Sequence, residues 1–276
     1  MNRDISELLD EWPFESGKLN VRMIPGIDGR PRLQIRLDLG LIQMHVEGRP
    51  DGLRPEGFES LLHLLEHRLA LADDLAADAA GGEGGDAEFA EADAGERVGT
   101  LDTEQCQALR DEAAQYYHRY VALLGVEEYL SVIRDTTRNL RVLDLCRARA
   151  DAEDDREALE PIRPYITMIR TRATVGWLLG RGEQKAAVWT IENALDELRE
   201  ILESRDEPNA FESSTEVQML RSMREALLPQ LPVSQKAELR ERLKEALERE
   251  NYELAAILRD ELRLMGDESG PKRGSA

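Results

Sequence analysis

Residues 32–46 read RLQIRLDLGLIQMHV, and they decide the fold class because their apolar residues recur at two alternating spacings separated by one glycine. In Arg32 to Asp38 the apolar Leu33, Ile35 and Leu37 are separated by Gln34, Arg36 and Asp38, which is the period of a half-buried β-strand. Gly40 interrupts the pattern, and Ile42, Met44 and Val46 restart it, so Gly40 reads as a bulge or a tight turn between two strands. Upstream, Lys18 to Ile24 alternates in the same way through Leu19, Val21 and Met23, and Pro25, Gly26, Asp28 and Gly29 supply the turn that follows. Three short strands make a small antiparallel meander with one apolar face to cover. The Leu-rich segment from Phe58 to Leu71 is the helix expected to cover it.

Outside this region the chain reads as helix. Residues 73–100 are Ala, Gly and acid with almost no large apolar residue, too little to offset the entropy of ordering them, so 76–100 is expected to be a disordered acidic linker. Asp102 followed by Gln105 has the form of a capping box, and Gly125 suits the end of the helix it opens. A second helix is expected from near Val126 to the acidic run at Asp151, carrying Leu130, Ile133, Leu140, Leu143 and Cys146. Pro161 and Pro164 mark the next helix start. That helix meets Gly180-Arg181-Gly182-Glu183 and returns through Gln184 to Ser204 as a hairpin. Ser213 ahead of Glu216 reads as a further cap, for a helix ending at Pro229.

The composition narrows the function classes. With 56 acidic against 36 basic side chains the net charge is −20, a field that repels phosphate backbones unless a basic patch overrides it. The densest basic run, Arg134, Arg138, Arg141, Arg147 and Arg149, is followed at once by Asp151, Glu153, Asp154 and Asp155, and reads as a salt-bridged helix surface. Cys106 and Cys146 lack metal-ligand spacing and read as buried free thiols. The first residues do not have the form of a signal peptide, and no apolar run is long enough to span a bilayer, so a cytoplasmic location is expected.

His63-Leu64-Leu65-Glu66-His67 matches the H-x-x-E-H pattern in which two histidines one helical turn apart bind zinc and the glutamate acts on water. The spacing is right, but the next histidine is His118 and an acidic linker intervenes. Leu61, Leu62, Leu65 and Leu69 give the segment a packing face, leaving His63 and His67 on the polar side. A metal-dependent hydrolase using His63, Glu66 and His67 is therefore the alternative reading. Gly48-Arg49-Pro50-Asp51-Gly52 could present Arg49 to an anion, although turn chemistry alone explains those residues.

The C-terminal run SQKAELRERLKEALERENYELAAILRDELRLM, residues 234–265, is a helical hairpin in its spacing. Leu254, Ile257, Leu258, Leu262 and Met265 follow helical spacing on one face, and Ala255 and Ala256 make a second, small-residue face. The first helix, with Leu239, Leu243, Ala246 and Leu247, can cover only one of them. Arg259 has no acid three or four residues away, so its carboxylate comes from Glu241, Glu245 or Glu248 across the hairpin, or from a partner. Asp260 can pair with Arg263.

Leu239, Leu243, Tyr252, Glu253, Ala255, Ala256, Arg259, Asp260 and Leu262 carry a resemblance to the UvrB/UvrC motif, with Leu254 departing from the polar residue usual there. The resemblance implies an antiparallel helical hairpin whose work is association. In the excinuclease B and C subunits it joins the two proteins, and similar motifs occur in an activator of protein arginine kinase and in Clp-type ATPases. It implies neither catalysis nor direct nucleic-acid binding. Over its length the chain also looks like bacterial proteins with a C-terminal motif of this kind, LQIRLDLGLIQMHVEGRPDG among the shared stretches, a likeness that brings no activity with it.

The expectation is a mainly α chain of α+β class with a small N-terminal antiparallel sheet. Its divisions are 1–75, three-stranded meander plus helix; 76–100, acidic linker; 101–232, helical domain; 233–266, helical hairpin with coiled-coil packing; and 267–276, disordered tail. Its function is read as a non-enzymatic adaptor without cofactor or metal, binding a protein partner or itself. The binding residues are Tyr252, Leu254, Ala255, Ala256, Leu258, Arg259, Asp260 and Leu262, with no membrane and no direct nucleic-acid contact.

Overall fold

The computed structural model describes residues 4–81, 99–204 and 209–227, together with the isolated positions 243, 244, 247 and 259. The alternation around Gly40 becomes an antiparallel sheet in the order β1-β2-β3, with β1 Val21–Pro25, β2 Pro31–Leu37 and β3 Gly40–His45. Met23 pairs with Leu33 and Leu33 with Met44, while Val21 pairs with Ile35 and Ile35 with Ile42, so the apolar side chains of all three strands share one face. Gly40 resolves as a turn position: it starts β3 opposite Leu37, after the turn residues Asp38 and Leu39.

The opposite face is not left to water, as a half-buried strand would leave it. Gln34 and Arg36 of β2 are buried. Gln34 accepts from Arg22 Nε at 2.8 Å and donates to Gln43 at 2.8 Å, and Arg36 donates to the carbonyls of Trp12 at 3.0 Å and Gly40 at 3.1 Å. The Arg22 guanidinium lies 4.2 Å over the Trp12 ring. The segment after α1, Ser6–Glu11, thus supplies a lid whose partners are polar side chains.

The helix after the sheet, α2 Leu61–Gly81, begins three residues later than the Leu-rich segment and runs past residue 76, its last two turns being rich in Ala, the best helix former. Residues 82–98 of the expected linker lie outside the described residues. Leu62, Leu65 and Leu69 join Leu101, Cys106, Leu109, Val142, Cys146 and Ala150 in one apolar cluster. The helix expected to cover the sheet therefore packs on α3, Thr103–Gly125, and α4, Tyr129–Arg149, while α3 is the helix against β2. A leucine stripe carries no preference for sheet over helix and goes where the larger apolar surface is removed from water.

Asp102 caps α3 as expected: its carboxylate accepts from Gln105 N–H at 2.7 Å, and the Gln105 side chain accepts from Asp102 N–H at 3.1 Å. Leu101 then forms an isolated parallel bridge with Ala150, tying the start of α3 to the end of α4. Part of the acidic run beyond α4 is the short helix α5, Glu153–Glu157, with three acids in its first turn, where the helix dipole favours them. The expected hairpin is α6, Arg163–Gly180, and α7, Gln184–Glu203, turning at Gly182, whose φ of 76° is open to glycine.

The expected cap at Ser213 is displaced by one residue. Ser213 ends the short helix α8, Ala210–Ser213, and its hydroxyl donates back to Asn209 O at 3.1 Å. Ser214 caps α9, Thr215–Leu227, by accepting from Val217 N–H at 3.3 Å. Both serines stand before the same apolar run, and only the extended backbone at Ser214 (ψ 130°) lets its oxygen reach a free amide. Pro229 lies outside the described residues. Met1–Glu225 is one compact unit and Ala226–Ala276 a second.

Candidate functional site

Charged residues sit on what would otherwise be apolar stripes of α3 and α4. Glu112, Tyr116 and Arg119 recur at four and three residues on α3, in line with Leu109, Ala113 and Leu123. On α4, Asp135, Arg138 and Asn139 fall between Val132 and Val142. All are buried in the structure. Buried charge is tolerated only when paired and hydrogen-bonded, and the pairs here form one network.

Arg119 is fully buried, and its Nε and Nη2 donate to the two oxygens of Asp135 at 2.6 and 2.8 Å. Its Nη1 donates to the carbonyls of His45 at 2.9 Å and Gly48 at 2.7 Å. Arg134 shares Asp135 at 3.0 Å and donates to Glu47 and to the Val46 carbonyl, both at 2.8 Å. The segment His45–Gly48 is thereby fixed to α3 and α4 through its own backbone. Arg49, just after it, stands 3.0 Å from Asp51 and 3.5 Å from Glu112.

Glu112 serves two elements. One oxygen accepts from the Leu61 N–H at 2.8 Å, supplying from another helix the cap that the first amides of α2 need. The other oxygen pairs with Arg138. Arg138 also donates to Asn139 Oδ1 at 3.0 Å, and its guanidinium lies 4.2 Å over the Tyr116 ring. Its Nε is buried without a hydrogen-bond partner. Burial, reinforced by the nearby charges of Arg141 and Arg49, pulls the Arg138 guanidinium down to about 9. It is a cation at neutral pH, with Glu112 as its direct counter-charge.

These groups border a pocket of ≈ 390 Å³ whose lining includes His63, Tyr116, Ile133, Arg134, Arg138 and Arg141. His63 Nδ1 stands 3.3 Å from Ser60 Oγ. The side chains of the H-x-x-E-H segment have different neighbours. His63 faces the pocket, Glu66 is engaged by Arg141, and the exposed His67 lies against Phe58 in a tilted pair with ring centroids 5.2 Å apart. Among the described residues, no three His, Cys, Asp or Glu side chains are grouped to hold a metal ion.

The basic run on α4 is salt-bridged throughout, but not as a simple surface. Arg141 pairs with Glu66, Arg147 lies 3.9 Å from Glu160 and Arg149 pairs with Asp73. Arg138 is buried and Arg134 half-buried. Glu112, Arg119 and Asp135 escaped the sequence reading. The usable signal was their position, since opposite charges falling on the packing stripes of two neighbouring helices have to meet each other. Cys106 and Cys146 are both buried and free, with their thiols in contact, and burial pushes the Cys106 thiol up to about 12.

Of the expected partner-binding residues, only Arg259 is among the described residues, where it is exposed and engaged in an interaction. Tyr252, Leu254, Ala255, Ala256, Leu258, Asp260 and Leu262 lie outside them. In the first helix of that segment Leu243 is half-buried and Leu247 is 51% exposed. No helix among the described residues is long and apolar enough to cross a membrane. Compared with protein-family models, residues 234–267 match the UvrB/uvrC motif. No curated protein and no solved structure matches the chain.

Proposed function

We propose that this chain is a non-catalytic adaptor of the cytoplasm that docks on a protein partner, or on a second copy of itself, through residues 233–266. The observation that carries the reading is the family-model match at 234–267, a motif of macromolecular interaction. The residues add a physical reason. A hairpin of this length is below the roughly 40 residues at which isolated chains begin to hold a core of their own. Leu254, Leu258 and Leu262 on one face and Ala255 and Ala256 on another exceed what the first helix can cover. The compact unit Met1–Glu225 is the body that such docking would bring to a partner. The acidic balance of the chain argues for a protein partner over nucleic acid.

The test is pulldown from the native cell with wild type, Leu258→Asp and Ala256→Glu, with light scattering on each purified chain. The expected result is a partner, or a dimer mass, present in wild type and lost in both variants while the melting of the sheet and helices is unchanged. An unchanged mass together with an unchanged set of captured proteins sinks the proposal.

A further inference from the structure

The pocket beside α4 lies in the unit Met1–Glu225, apart from the segment on which the adaptor reading rests. Asp135 is shared by Arg119 and Arg134, and Glu112 by Arg138 and Arg49, so each buried carboxylate faces two guanidinium groups. The remaining acids stand nearer water, with the side chains of Glu47 76%, Glu66 30% and Asp51 28% exposed. Glu59, in the lining, is exposed as well. Glu66 stays paired directly with Arg141, while solvent screens the more exposed Glu47 and Glu59.

We propose that this pocket binds a small oxyanion, the phosphate or carboxylate group of a small molecule, with Arg138 and Arg141 as its charged donors and His63 at its side. Arg138 is 6% exposed and keeps one buried N–H unpartnered, the group a bound oxyanion would satisfy after a small movement of the guanidinium. The bonds of Arg141 to Glu66 use Nε and Nη2. His63, engaged at Nδ1 by Ser60, has its second ring nitrogen for the ligand. A volume of ≈ 390 Å³ is at the lower end of the roughly 300–1,000 Å³ typical of small-molecule sites. The Tyr116 ring and Ile133 give the lining an apolar portion for the rest of such a molecule. The acids at the edge and the net charge of −20 disfavour a polyanion such as nucleic acid and leave a small, singly anchored group as the fitting occupant.

The test is thermal unfolding of the full chain while potassium phosphate, or in a second series potassium acetate, replaces chloride at constant ionic strength. A rise in Tm that grows with the logarithm of the anion concentration above Kd is expected with either anion, because a ligand that binds only the folded state stabilises it. Phosphate acting alone assigns a phosphoryl group, and acetate acting alone a carboxylate. Arg141→Gln, at a partly exposed position, should raise the apparent Kd drawn from the shift by about tenfold or more, the loss of one charge-assisted hydrogen bond. Arg138→Lys keeps a charge for Glu112 without the Nε donor and should do the same, whereas Arg199→Gln on α7 should leave the effect intact. No rise in Tm with either anion beyond that in chloride, or a rise undiminished in Arg141→Gln, overturns the proposal, and the second criterion stands even if Arg138→Lys does not fold.

Discussion

Arg119 is the residue on which most of the unit's polar interior depends. It satisfies a fully buried carboxylate with two bonds and the carbonyls of His45 and Gly48 with a third nitrogen. Removing it leaves the buried Asp135 with Arg134 as its remaining cation, so Arg119→Ala should cost about 3 kcal/mol, measured by urea denaturation. The double variant Arg119→Met with Asp135→Leu should recover much of that loss. Gly52 is a second sensitive point: its φ is 79°, and an added Cβ would lie 2.6 Å from the His45 ring. Gly52→Ala should therefore destabilise by about 1–3 kcal/mol in the same assay, since it combines a left-handed backbone with a clash. Cys106 gives a pH prediction. Its folded pKa, about 12, is raised from 9.0, so the stability it contributes is complete below pH 9.0 and is lost as pH rises towards 12. A thiol-reactive probe should accordingly label neither cysteine of the native protein at neutral pH and both after unfolding.

At the scale of elements, the caps and turns were the most legible part. Asp102 and Gln105 spell out a capping box, and Asp102→Ala should lower stability by about 1 kcal/mol, read from the shift in the denaturation midpoint at unchanged m-value. Local chemistry fixes such a site because donor and acceptor lie within four residues of each other. The Ser213 and Ser214 pair shows the limit. Two adjacent serines offer the same side chain, and the backbone of the preceding turn, Ala210–Ser213, decides which one caps. The partner of α2 was not legible either, for its leucine stripe fits a sheet and a helix equally well.

At the scale of the whole molecule, the excess of acid sets what the surface can meet. A short DNA duplex should show no binding by fluorescence anisotropy at about 0.15 M salt, where the Debye length is about 8 Å and only a dense basic patch would hold a phosphate backbone. The arginines of α4 do not form one, since each is already held by an acid of the same unit. The fold class, the strand order and the run of helices followed from the sequence by itself, because periodicity two, periodicity near four and caps are properties of neighbours along the chain. The C-terminal motif was legible for the same reason. Which face α2 covers, the burial of Glu112, Arg119, Asp135 and Arg138, and the pocket they border were decided by tertiary structure alone. The groups concerned come from segments 16 to 74 residues apart, and a charge reveals whether it is a solvated surface or a buried partner only when the chain has brought its counter-charge to it.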